Sequence, residues 1–508
     1  MNAATAHARL VERFAGLERL AHARTYLEWD RLVMMPPGGS RARGEALAEL
    51  ASLHHERLTD PALRDLLDEA DAHGGTDPTL RADLDGMRRE HLEAAALPAG
   101  LVRAKVLAGA LCEEGWRVQR PANDWTGFLE NFRPVVALAR EEADARLAAA
   151  AEHGAAVPAS RYETLLELYC PGDGAALVDA VFAELRGALP AILERALERQ
   201  RRAPTPALEG PFPIPAQEAL GRALAVRLGF DFARGRLDTS LHPFSAGSAG
   251  DQRVTTRYLA DEPFDALQAT AHEIGHASYE GGLPAALAGR PVGRSRGMSV
   301  HESQSLFFEK HLYLSDAFQG AFAADVHAHL PGARALDGAA LRAAQLRVAP
   351  GRIRVSADEV SYPLHVTLRH AIERDLVDGR MEAEDVPEAW DASMRELLGI
   401  DTRGDFRDGC LQDIHWTDGA FGYFPSYTLG AVNAAQLAAA LDRDAPAWRE
   451  AVAVGDAAPV REWLRERIWS RGSAVDTATL MRDATGSATD ASWLLAHLER
   501  RYVEGGPG

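Results

Sequence analysis

Lysine is almost missing from this chain: of 55 basic residues among 508, only Lys105 and Lys310 are lysines. That bias points to coding composition and carries no mechanism of its own. Positive charge is short overall, because 74 acidic residues leave a net charge of -19, which argues against nucleic acid and anionic membrane as partners. Cysteine is equally scarce. Cys112, Cys170 and Cys410 lie too far apart for a disulfide framework or a zinc knuckle, and their scarcity suits a reducing cytoplasm, the expected location. Residues 1–20 carry a charge every few positions with no apolar signal core, so they are expected to form a mature amphipathic helix and no export signal. Long hydrophobic runs are missing as well. The longest uncharged run, 419–441, contains Pro425, Ser426, Asn433, Gln436 and two tyrosines, and reads as buried interior, not a bilayer span. There is no internal repeat.

What is present is helical texture. Residues 5–201 show helical periodicity almost throughout, broken by Pro36-Pro37-Gly38-Gly39, Gly74-Gly75, Pro98 and Pro171-Gly172. Two long helices are expected over about 126–152 and 174–201, rich in Ala, Leu, Arg and Glu. Trp29-Asp30 reads as a tryptophan anchoring a helix end. From Gly229 the texture changes to glycines and short β-type runs, with 253–258 (RVTTRY) and 352–356 (RIRVS) the best strands. Nothing reads as a linker, so one domain over 1–508 is expected, with a helical part to about 228 and a metal-site and small-sheet part over 229–508.

Chemistry concentrates in 269–279, ATAHEIGHASY. On a helix His272 and His276 share one face, so two imidazoles can close on one metal ion with Glu273 beside them as base. Asp261, Glu262 and Pro263 supply a helix start and Gly281 and Gly282 a stop. A catalytic zinc takes three protein ligands and leaves a position for water. The metzincin extension is excluded, since Tyr279 and Gly282 stand where its glycine and third histidine belong. The other pattern takes a glutamate from a following helix, which makes Glu302 the third ligand and its neighbour His301 the rival.

Six motifs in one order then resemble the carboxypeptidase Taq family of zinc metallocarboxypeptidases. They are His242-Pro243-Phe244, 251–255 (DQRVT), 272–276 (HEIGH), 301–304 (HESQ), 353–358 (IRVSAD) and 409–416 (GCLQDIHW). Each alone is weak; six in order are specific. The resemblance implies a mainly α, large helical zincin-like fold with a deep central groove and a small β-sheet beside the metal site. It also implies a homodimer, Zn2+ as cofactor with Co2+ or Mn2+ sometimes functional, and release of single residues from peptide C-termini with broad specificity, poor at proline. Glu302 is the third ligand on this pattern too.

For the reaction, two neutral imidazoles and one carboxylate leave zinc a net positive charge that acidifies a water, and Glu273 can take its proton. Tyr423, Tyr427 and His415 are candidate oxyanion donors, Tyr423 preferred because tyrosine keeps its proton at neutral pH. A free terminal carboxylate calls for arginine, with Arg354 first and Arg253 second. His242, Gln412 and Tyr427 complete the substrate-contacting set. Asp358, Glu359 and Asp413 are expected to orient the ligating histidines, since Leu306 stands where related enzymes place an aspartate four residues after the ligand glutamate. Partners are therefore peptides with a free C-terminus. The rival readings are a zinc endo-oligopeptidase with the same metal site and an inactive zinc-dependent peptide-binding protein; an intact Glu273 speaks against the latter.

Overall fold

The computed structural model describes residues 3–72, 77–203, 208 and 210–505; the Gly74-Gly75 break falls outside them. The expected long helices are there, at Trp125–Glu152 and Gly174–Arg202. The first is started by Asp124, whose side chain accepts from the Gly127 N–H, satisfying one of the donors that every helix N-terminus leaves open. Trp29, buried near the end of the helix Ala3–Val33, lies under the Arg253 guanidinium at 4.6 Å and near that of Arg236 at 5.2 Å. It anchors that helix to the small sheet.

Apolar side chains gather in separate cores. One, around Leu10, Phe14, Leu63 and Met87, belongs to the N-terminal helices. A second, around Phe132, Leu185, Leu376, Trp390 and Phe421, draws on residues from both sides of position 228. The third packs Leu224, Ile274, Phe308, Leu437 and Trp469 behind the metal-site helix. Burial of such side chains, worth about 1.5–3 kcal/mol each, is what holds the helices in register.

The sheet has three strands, β1 Gly235–Thr239, β2 Ser245–Ser248 and β3 Asp251–Thr256, in the order β1-β3-β2. β1 runs parallel and β2 antiparallel to β3. The strand expected over 253–258 is thus real but begins two residues earlier and ends at Thr256. The strand expected over 352–356 is not formed: Arg354–Ser356 is a 3-10 turn. Its β-branched composition misled because Arg354 turns inward while Val355 points out, 73% exposed, and the Arg354 N–H donates to Gln412 Oε1 at 2.7 Å, not to a neighbouring strand.

The helix Pro263–Gly282 carries the HEIGH motif, starting where the acidic residues and proline predicted and ending on Gly282. β3 is tied to it: Gln252 donates to the Ala277 carbonyl and Thr256 to that of Ala266. The next helix, Met298–Leu306, continues into a π-helical stretch, Phe307–Tyr313. Two glycines let the helices approach. A Cβ on Gly275 would meet Gln304 O at 2.5 Å, and one on Gly430, in the helix Pro425–Asp444, would meet Glu302 Cβ at 2.6 Å. Glu302 is clamped between them. The uncharged run at 419–441 lies mostly within Pro425–Asp444, whose side chains are largely buried. Among the described residues no single helix is long and apolar enough to cross a membrane; one pair, Pro78–Ala95 with Ala99–Gln119, reaches that composition together but is bent by 77°.

Candidate metal centre and substrate site

His272, His276 and Glu302 converge, their ligand atoms all within 4.8 Å of one another. His272 Nε2 lies 3.8 Å from Glu302 Oε1 and His276 Nε2 3.5 Å from Glu302 Oε2. Two imidazole nitrogens and a carboxylate around one point are a donor set suited to a divalent ion such as zinc. The opposite nitrogen of His272, Nδ1, pairs with Glu309 Oε2 at 2.9 Å, which leaves Nε2 facing Glu302. The electrostatics say the same. Against burial, which lowers it, Glu302, Glu309 and Glu273 raise the His272 imidazole to about 9: the cradle is short of positive charge.

Glu273 is buried at the same place, and burial pushes its carboxyl up to about 7, with His272 pulling the other way. His301, the rival ligand, stands outside the cluster. Its ring packs on that of His276 at 4.6 Å and its Nε2 meets Glu280 Oε1 at 2.9 Å.

The carboxylate that meets the His272 ring is Glu309; the acids expected for that duty pair elsewhere. Asp358 folds back on its own turn, accepting from Val360 and Ser361 N–H. Glu359 takes His497, Arg501 and Tyr502. Asp413 holds two arginines. Glu309 itself is drawn down to about 2, against burial, by Lys310 and His272, so one of the chain's two lysines neutralises the group behind the metal ligand. The signal lay in the sequence at seven residues after Glu302, and the π-helical stretch gives that position its direction.

Arg354 is 5% exposed. Its Nε donates to Asp413 Oδ1 at 2.9 Å and its Nη1 to the Tyr362 hydroxyl at 2.7 Å. The guanidinium lies over Phe424 and Tyr427, 5.2 Å from each ring. Beyond burial, the Tyr362 hydroxyl also senses the Glu302 charge, which raises it. Tyr423 and Tyr427 pack edge to face at 5.3 Å, and His415 Nε2 lies 3.2 Å from the Tyr427 hydroxyl. Burial raises Tyr423 to about 12 and lowers His415 to about 4; at neutral pH the phenol keeps its proton and the imidazole is uncharged.

The remaining expected residues sit elsewhere. Arg253 is bidentate to Asp251, at 2.7 and 2.9 Å, and stacked on Tyr26 and Trp29. Gln412 is engaged with the chain on both sides, its Nε2 donating to the carbonyls of Arg352, Asp408 and Gly409. His242 is exposed, and its carbonyl accepts from the Ser240 hydroxyl. Missed altogether was Arg369, fully buried, with its Nε on Asp413 Oδ2 at 2.7 Å.

The carboxypeptidase Taq (M32) metallopeptidase profile matches residues 9–502. This chain belongs to that family. It is a metallocarboxypeptidase, a peptide hydrolase, by that membership. It is 36% identical over 482 residues to thermostable carboxypeptidase 1 of Thermus thermophilus, with 94% of each chain covered. Among solved structures, metallocarboxypeptidase 1 of Trypanosoma cruzi superposes with a TM-score of 0.93 at 38% identity, covering 98% of this chain and 99% of that one. Pyrococcus furiosus carboxypeptidase also gives 0.93, at 30% identity and the same coverage. The fold of this metallocarboxypeptidase is therefore the family's mainly helical one with its small sheet.

Proposed function

We propose that this metallocarboxypeptidase uses zinc, with cobalt or manganese able to replace it, to release single residues from peptides bearing a free C-terminus, with broad specificity and poor action at proline. The observation that carries the reading is the convergence of His272, His276 and Glu302 with Glu273 on the same helix turn. When bound there, the ion supplies a Lewis acid that acidifies water and polarises the scissile carbonyl. Glu273 takes the proton from the attacking water and gives it to the leaving amine nitrogen; a carboxyl held near neutrality by burial suits both transfers. Tyr423 donates to the developing oxyanion, backed by Tyr427 and His415. Glu309 fixes the His272 tautomer, with the proton on Nδ1 and the lone pair of Nε2 free.

Arg354 receives the terminal carboxylate. Its Nη1 and Nη2 carry N–H groups beyond those given to Tyr362 and Asp413. An extended substrate can add to the edge strand β2, whose Ser245 lies close enough to Glu273 to hydrogen-bond it. The working unit is one domain over 1–508, acting in the cytoplasm as a homodimer.

Time-resolved mass spectrometry of an unblocked peptide, beside its C-terminally amidated copy and the Glu273→Gln variant, tests this. Stepwise loss of C-terminal residues, absent with the amide and the variant, is expected. Internal cuts with the amide equally good would make the enzyme an endo-oligopeptidase, and no cleavage by the zinc-loaded protein would make it a peptide binder.

A further inference from the structure

Asp413 divides its two oxygens between two arginines. Oδ1 accepts from Arg354 Nε at 2.9 Å and Oδ2 from Arg369 Nε at 2.7 Å. Arg369 stands on the helix Tyr362–Val377 with no exposed surface, its guanidinium 4.5 Å from the Trp390 ring and its Nη1 on the His365 carbonyl. No other carboxylate pairs with either arginine among the described residues. Glu373, on the same helix, accepts from Trp416 Nε1 and the Gly422 N–H instead, and burial pushes its carboxyl up to about 8, so it is neutral at pH 7. Two buried guanidiniums then face one carboxylate.

An uncompensated buried charge is among the most unfavourable things a fold can hold. Neutralising Asp413 does not require the second arginine, since Arg354 alone could pair with it. We infer that Arg369 is a positioning residue which occupies half of Asp413, so that the positive charge of Arg354 stays available to the substrate's terminal carboxylate. The inference rests on Arg354 being the carboxylate partner. Without Arg369, both oxygens of Asp413 would turn to Arg354, and a carboxylate arriving there would meet a neutral pair. Tyr362 limits how far the guanidinium can swing, since its hydroxyl holds Nη1.

Steady-state kinetics on an N-blocked tripeptide with a free C-terminus, beside its amide, test this in Arg369→Met, Arg369→Lys and the double variant Arg369→Met with Asp413→Asn. Arg369→Met should raise KM for the free acid by about tenfold, a loss of roughly one pairing's differential affinity, with kcat within about twofold. Arg369→Lys should stay near wild type in KM. The double variant should recover most of the loss, because it removes the carboxylate that had turned onto Arg354. A purely structural role predicts the reverse, with the second substitution deepening the defect. An unchanged KM in Arg369→Met, or no recovery in the double variant, overturns the inference while Arg354 keeps its role. If wild type cleaves amide and free acid alike, the role of Arg354 falls and this inference with it. Should Arg369→Met fail to fold, Asp413→Asn alone decides: a lower or unchanged KM supports the inference, and a KM raised several-fold overturns it.

Discussion

Two buried charge clusters act on Tyr362, and they are unbalanced in opposite directions. Around the metal cradle three carboxylates, Glu273, Glu302 and Glu309, face two histidines and Lys310. There, against burial, which lowers it, Glu302, Glu309 and Glu273 raise the His272 imidazole to about 9. Around Asp413 the imbalance is positive, two guanidiniums against one carboxylate. On the proposed reading, each cluster is incomplete by what the reaction brings: a divalent cation to the first and a terminal carboxylate to the second. Glu359, by contrast, closes locally with His497 and Arg501. In these two clusters unmet buried charge coincides with the proposed chemistry.

The largest effect is expected where no second group can do the same work. Glu273→Gln keeps the shape of the cradle but removes the proton acceptor, and kcat should fall by about 10³ or more while zinc binding, read by atomic absorption, remains stoichiometric. Loss of bound metal in that variant would place Glu273 among the ligands and break the division between base and cradle. On the positive side Arg354→Ala should lower kcat/KM for a free-acid peptide by about 100-fold and leave the slow hydrolysis of its amide nearly unchanged. Equal losses on the two substrates would mean that Arg354 only supports the fold.

How far the sequence carried differs between the clusters for a physical reason. His272, Glu273 and His276 share one helix, so spacing alone put them together, and the pattern of a glutamate ligand from a following helix pointed to Glu302, with His301 as the rival. The positive cluster is assembled from three segments: a 3-10 turn at Arg354, a helix at Arg369 and a loop at Asp413. Local patterns carry no information on such meetings, and β-propensity read the first of these segments as a strand. Arg253 looked equal to Arg354 by residue type; what separates them is that Arg253 is closed bidentate by its near neighbour Asp251, a pairing invisible without the strand geometry.

Glu309 sharpens the negative side. The expected aspartate position after Glu302 is Leu306, and the widened π turn that follows carries the acid three residues further, onto His272 Nδ1. Glu309→Gln should weaken metal affinity by about 10–100-fold, measured by competition with a chromophoric chelator, and lower kcat little once the site is saturated. A variant with unchanged affinity would reduce Glu309 to a counter-ion for Lys310.

The smallest effect concerns the neutrality of Glu373, on which the positive sign of the arginine cluster depends. Burial raises its carboxyl to about 8, opposed by the Gly422 N–H, Trp416 and the Arg369 charge; the other groups about it are Asp413 and the phenols of Tyr162 and Tyr169. The folded protein therefore binds a proton that the unfolded chain releases near its ordinary value of 4.5. Stability from this group is fully present below that value and declines as pH rises toward about 8, the folded state binding more protons throughout the window. Once Glu373 ionises the cluster loses its excess positive charge, so KM for the free acid should climb above pH 8 by a few-fold while that for the amide does not. Glu373→Gln should lower the melting temperature, since one of two accepted hydrogen bonds is lost, yet flatten its slope between pH 5 and 8 and remove the alkaline rise in KM. A slope identical to wild type would mean that Glu373 is ionised in the folded enzyme, and the two arginines would then face two carboxylates, a balanced cluster no different from the others in the core.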